Sequence, residues 1–161
     1  MSRIVLFLTG LLILLGVNYS IWRKEQLLTN GTMVLLELAP VDPRSLMQGD
    51  YMALRFAVQT AASPLPEQPD GHIVLKIDDR RIGTFLRFDD GQPLAPGEVR
   101  LLYRRRNQEL KLGTNAFFFQ EGDEPRYRTA RYGEARVDAD GQLLLTGLRD
   151  ADLRPLGPSV P

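Results

Sequence analysis

Cysteine is absent from the 161 residues, and histidine and tryptophan occur once each, as His72 and Trp22. Without a thiol there is no disulfide, thiolate metal site, cysteine nucleophile or lipid-attachment cysteine. A single imidazole excludes the histidine clusters that hold zinc. The missing cysteine fits an oxidising compartment, where stray thiols mispair, without requiring one. Excess charge is lacking too, with 20 basic and 20 acidic residues. The first 24 residues carry Arg3, Arg23 and Lys24 and no acid, so the remainder is mildly acidic. Such a domain is a poor match for the phosphate backbone of a nucleic acid. Hydrophobic residues at 43% and charged residues at 25% exclude wholesale disorder, and the length is that of about one domain.

What the chain does have is one long apolar run. Ile4 to Val17 is 14 residues without a charge, and the uncharged stretch reaches Trp22, 19 residues in all. That approaches the roughly 20 needed to cross a bilayer as a helix. Tyr19 and Trp22 fall where an interfacial aromatic belt belongs. The competing reading is a cleaved signal peptide, but bulky or polar groups around Asn18-Tyr19-Ser20 occupy the positions a small-x-small cleavage site needs. The expectation is an uncleaved, single-pass anchor over residues 1–24. Long domains translocate largely regardless of flanking charge, so the C-terminal domain is expected outside the cytoplasm.

After the anchor the periodicity is that of strands. Thr32–Leu38, the stretch from Tyr51 through Val58, His72–Ile77, Ile82–Phe88, Glu98–Tyr103, Leu110–Leu112 and Ala116–Phe119 read as strands, and Ala135–Asp138 with Gln142–Leu148 as a closing hairpin around Ala139-Asp140-Gly141. Asp78-Asp79 suits a tight turn, and the three prolines between Ala61 and Gly71 mark an exposed linker. Glu124–Tyr132 carries the signals of one short helix. The predicted fold is mainly β: the membrane helix, then an antiparallel sandwich or barrel-like domain over 25–154 with at most one short helix, and a flexible tail over 155–161. Arg104-Arg105-Arg106 reads as a solvated strand end or hairpin tip, with an anion or lipid-headgroup contact as the functional alternative. Of Phe117-Phe118-Phe119, two rings are expected in the core; an exposed third would mark a contact surface.

The densest stretch for chemistry is Gly49-Asp50-Tyr51-Met52-Ala53-Leu54-Arg55-Phe56. A Gly-Asp turn opens into alternating apolar residues, with Met52, Leu54 and Phe56 on one face and Tyr51, Ala53 and Arg55 on the other. Tyr51 and Arg55 read as a packed cross-strand polar layer or as the lining of a shallow groove. Ahead of it, Pro40-Val41-Asp42-Pro43-Arg44-Ser45 is rigid turn chemistry. The Gly-Asp turn superficially resembles the one after the catalytic serine of signal peptidases, but alignment on it places Val41 at the nucleophile, so Ser45 gains no support as one. Asp42, Asp50, Asp78 and Asp79 as a metal or acid/base set have nothing to fix their distances, and aspartate is a common turn residue. No metal or other cofactor is indicated.

The chain resembles the GDYXXLXY family of membrane-anchored bacterial proteins, through Gly49, Asp50, Tyr51 and Leu54, with Phe56 in place of the pattern's final tyrosine. The lead-in Pro40–Leu46, Phe118–Gly122, Ala130–Gly133 and Arg136–Gly141 extend the likeness over most of the exported domain. The resemblance implies no reaction or ligand. It implies a membrane partner, because genes of the family often stand beside genes for multi-pass membrane proteins. The expected function is a non-enzymatic accessory or interaction protein of the bacterial cell envelope, held in the lipid bilayer of the inner membrane. The alternative is an envelope hydrolase or processing enzyme using Asp42, Asp50 and Tyr51.

Overall fold

The computed structural model describes residues 2–39, 47, 48, 51–114 and 116–157. The apolar run forms one helix, α1 (Ser2–Asn30), which ends six residues beyond the predicted anchor segment. It is long and apolar enough to cross a membrane, and its apolar side chains from Ile4 to Trp22 are exposed. The extra length has a packing reason. Leu27 is buried, and the Gly31 N–H closes the last turn on the Leu27 carbonyl at 3.0 Å. Arg23 Nη2 lies 3.1 Å from Asp140 Oδ2, which ties the helix to the domain.

Ten strands follow: β1 (Thr32–Glu37), β2 (Met47–Gln48), β3 (Tyr51–Ala53), β4 (Asp70–Ile77), β5 (Gly83–Phe88), β6 (Glu98–Arg106), β7 (Glu109–Leu112), β8 (Ala116–Phe118), β9 (Tyr132–Val137) and β10 (Leu143–Arg149). They form three antiparallel sheets ordered β1-β9-β10, β2-β3-β8 and β5-β4-β6-β7. Backbone bonds stitch the sheets together: Leu35 N–H to the Arg81 carbonyl at 2.8 Å, Ala39 N–H to the Arg55 carbonyl at 2.7 Å, and Leu102 N–H to the Gly141 carbonyl at 2.8 Å. The result is a curled half-barrel, so the predicted mainly β fold holds.

The core follows from the strand patterns. Leu101 and Tyr103 alternate inward from β6, and Leu110 and Leu112 from β7. Val34-Leu35-Leu36 and Ile73-Val74-Leu75 are buried without alternation, as in strands covered on both faces. The predicted turns are built from aspartate. Asp78 Oδ1 accepts the Ile82 N–H at 2.7 Å, and Asp138 Oδ1 accepts those of Asp140 at 3.0 Å and Gln142 at 2.8 Å. Gly141, at φ +78°, leaves room for Leu102; a Cβ there would stand 3.0 Å from the Leu102 nitrogen. The arginine run ends β6 at a tight turn, with Asn107 and Gln108 both at positive φ.

Three details differ from the sequence reading. Among the described residues two short helices are present where at most one was predicted: α2 (Ala57–Ala61) and α3 (Glu124–Tyr127). β3 stops at Ala53, and the extended chain beyond it ends at Phe56, where Gln59 Oε1 accepts the Phe56 N–H at 2.6 Å and a helical turn starts. Second, α3 ends five residues before the predicted Tyr132. The Tyr127 ring is buried with centroids 5.0 Å from Phe117 and 5.3 Å from Phe119, and Tyr132 already pairs with Glu37 in the sheet. Third, the start of the tail is tied down: the Leu156 N–H bonds the Leu148 carbonyl at 2.8 Å, and Leu156 packs against the core.

Candidate functional site

The motif strand β3 lies between β2 and β8, with Gln48 opposite Tyr51 on one side and Phe118 opposite Tyr51 on the other. Two residues of the candidate set, Gly49 and Asp50, fall between the paired β2 and β3 in sequence. They, Asp42 and Ser45 lie outside the described residues. Alternation is as predicted: Met52, Leu54 and Phe56 are buried, while Ala53 and Arg55 are exposed and Tyr51 is half-buried. Leu54 and Phe56 therefore belong to the core. The Ala39 N–H bonds the Arg55 carbonyl at 2.7 Å, and Leu38 bridges Phe56, so the strand end is pinned to the chain leaving β1.

Outward, the two polar candidates part company. Arg55 forms an ion pair with Glu109, which also takes Lys111 Nζ at 2.7 Å. The Lys111 hydrogen bond and charge, then the Arg55 charge, hold the Glu109 carboxyl below the usual carboxylate range. Arg55 and Glu109 share a recess of about 170 Å³ with Gln59, Thr60, Leu65 and Gln108, and Tyr51 does not line it. Tyr51 instead meets Phe118, ring centroids 5.8 Å apart and tilted by 42°. Phe118 is 73% exposed, whereas Phe117 and Phe119 pack against the core. The triplet thus splits as its strand register dictates, with the middle ring outside.

Asp78, a candidate, and Asp89, which was not one, serve their own surroundings. Asp78 is occupied by its turn, and His72 Nε2 sits 3.1 Å from the Asp140 carbonyl. Asp89 faces Arg100, with Nε 2.6 Å from Oδ2 but its hydrogen not aimed there, and Nη2 donating to Oδ1 at 3.3 Å. Burial alone would raise the Asp89 carboxyl; the Arg100 hydrogen bond, the Gly91 N–H and the Arg100 charge outweigh it and hold the group below its ordinary value.

A family model described as GDYXXLXY protein matches residues 13–148, most of the chain. The chain belongs to the GDYXXLXY family. Comparison with curated proteins and with solved structures returns no match. The matched span begins inside α1 and ends in β10, so the GDYXXLXY unit takes in the second half of the membrane-length helix together with all three sheets. Within the pattern, the leucine and the final aromatic are core residues, and the tyrosine is the one whose ring faces outward beside Phe118.

One motif-supporting residue escaped sequence reading. Gln59 accepts from the Phe56 N–H through Oε1 and donates to the Leu110 carbonyl through Nε2, joining the motif to β7. Its spacing, three residues after Phe56 at the head of α2, is that of the reaching residue in a capping box. Gln59→Leu keeps the volume and strands both backbone groups. It is expected to cost about 1–3 kcal/mol, read from thermal unfolding of the full chain in detergent.

Proposed function

We propose that this GDYXXLXY protein is a non-enzymatic accessory protein of the bacterial cell envelope. In this reading α1 passes once through the inner membrane, the β domain is periplasmic, and the outer face of the motif strand docks a multi-pass membrane protein. The observation that carries it is the outward aromatic pair. A phenylalanine 73% exposed on a strand, against the half-buried tyrosine of the family motif, is apolar surface that a partner would cover. The helix bonded into the sheet domain supports it further, because a domain held that close to the bilayer meets integral proteins at short range.

The hydrolase alternative gains less support. Of its Asp42, Asp50 and Tyr51, Tyr51 alone is among the described residues, where it sits beside Phe118. A hydrolase built on Asp50 would lose turnover in Asp50→Asn and keep its partners.

The test is affinity purification of the full chain from native membranes in mild detergent. Wild type is expected to bring down a multi-pass protein. Phe118→Asp is expected to lose it while unfolding within about 0.5 kcal/mol of wild type, as an exposed substitution should. Retention of the partner by both Phe118→Asp and Tyr51→Ala would remove this face from the interaction. Orientation is read separately: alkaline phosphatase fused after Pro161 is expected to be active and a fluorescent protein dark.

A further inference from the structure

A second concavity, of about 500 Å³, opens where α1 meets the sheets. Three of its lining residues are cations from three elements: Lys24 of α1, Arg104 of β6 and Lys111 of β7. Among the described residues no acid lines it, and Phe118, Leu144 and Leu145 supply apolar wall. Arg104 and Lys111 stand directly opposite each other in the β6–β7 register. Like charges in that relation destabilise a sheet. Nearby acids offset only part of the charge. Glu109 pairs with Lys111 at 2.7 Å but is shared with Arg55, and Asp70, across from Arg104 on β4, pairs with Arg106 at 3.6 Å. Neither Arg104 nor Lys24 has an ion pair among the described residues, whereas the neighbouring Arg23 is neutralised by Asp140 and Asp138 at 3.1 and 3.9 Å.

The groove also lies at a defined depth. Lys24 is two residues past Trp22, roughly 3 Å further along the helix axis at 1.5 Å per residue. On another flank of α1, Leu94, 38% exposed, lines a cleft with Tyr19 and Trp22, so the loop before β6 reaches the level of the aromatic belt. With α1 taken as the membrane anchor of the proposed function, on which this inference rests, the headgroup layer beside Trp22 would be level with the three cations, and acyl chains would lie beside residues 19–22.

The geometry points to a binding site for the headgroup of an anionic glycerophospholipid, with Arg104 and Lys111 bracketing the phosphate and Lys24 closing the membrane side. The anion offsets the opposed cross-strand charges, and a net-neutral zwitterionic headgroup, with its own ammonium, does so less well. This holds whether or not the outward aromatic pair docks a protein.

Trp22 is the only tryptophan, two residues from Lys24, and serves as the reporter. The full chain is placed in nanodiscs of phosphatidylcholine with a minor fraction of brominated lipid, and Trp22 quenching by brominated phosphatidylglycerol is compared with that by brominated phosphatidylcholine. Wild type is expected to prefer phosphatidylglycerol roughly ten-fold or more, from about 1 kcal/mol per basic residue at an anionic headgroup. Arg104→Gln/Lys111→Gln is expected to bring the ratio close to one in a protein that still unfolds cooperatively, its melting temperature no more than a few degrees from wild type. Should that pair fail to fold, Lys24→Gln, on the helix and outside the sheet, is expected to lower the ratio by itself. Equal quenching of wild type by both lipids overturns the proposal, as does a preference that survives in the folded variants. Competition separates the sources of anion. Displacement of the lipid by millimolar inorganic phosphate would make the groove a free-phosphate site, and displacement by a soluble polyglutamate peptide would give it to an acidic protein segment; either result overturns the lipid assignment.

Discussion

Phe56→Ala is expected to destabilise the domain by about 3–5 kcal/mol, the range for a large ring removed from a packed core. Phe56 is 1% exposed and sits where three segments meet. Its backbone bridges Leu38, and its N–H is held by Gln59. Its ring lies against the backbone of β9 at Gly133, where a Cβ would come within 2.9 Å of the ring. That contact decides the size of the effect. A glycine has no side chain to swing into the space left by the ring, and the β9 backbone is fixed by pairing on both sides. The cavity therefore stays open and the loss falls toward the upper end of the range. Leu54→Ala, at a position 8% exposed, is expected to lose less, about 2–3 kcal/mol. The measurement is chemical or thermal unfolding of the full chain in detergent, followed by strand circular dichroism. A loss below about 1 kcal/mol for Phe56→Ala would show that the motif's last aromatic does not hold β3 to β9.

The same residues show what the sequence makes legible. Period-2 alternation placed Met52, Leu54 and Phe56 inward because a half-buried strand has only two faces. The turns at Asp78 and at Asp138–Gly141 were legible because aspartate and glycine perform there a local, short-range task. The membrane-length helix was legible from composition alone. What could not be read was long-range. The strand reading ran on through Val58 because apolar spacing continues there, while the turn into α2 depends on a Gln59 amide whose second partner, Leu110, is 51 residues away. The predicted helix over 124–132 overran for a related reason: acidic and proline signals mark where a helix starts, but its end was set by Tyr127 stacking on Phe117 and Phe119 and by Tyr132 joining the sheet. The opposed pair Arg104 and Lys111 was half visible, as a charge run and an isolated lysine; only the β6–β7 register brings them together.

Long-range pairing also hid the most polar part of the core. Glu134→Ala is expected to cost about 3 kcal/mol or more, although nothing around this residue in the sequence distinguishes it from a surface glutamate. It is 8% exposed, directly after Gly133 on β9. Its Oε2 accepts from Arg149 Nε at 2.6 Å, and Thr146 Oγ1 lies 3.4 Å from Glu134 Oε1 and 3.3 Å from the Glu134 carbonyl oxygen. Arg149 in turn donates through Nη1 to the Leu153 carbonyl at 2.7 Å, which holds the turn after β10 where Leu153 takes φ 64°. The network sits where the β9–β10 register shifts between Leu145 and Gly147, so it secures the one irregular stretch of that pairing. Removing the carboxylate leaves a guanidinium only about one-fifth exposed without its counter-charge, and breaking such a pair costs more than the pair's net contribution. Two consequences separate this from simple loss of packing. Arg149→Ala should cost a comparable amount, because it strands the buried carboxylate. The double variant Glu134→Met/Arg149→Leu should recover most of the loss, since apolar residues of similar volume need no partner. A double-mutant cycle on unfolding free energies measures the coupling, expected at about 2 kcal/mol. Additive losses within about 0.5 kcal/mol would mean that the two charges act through separate contacts and that the irregular β9–β10 pairing is held by its backbone bonds alone.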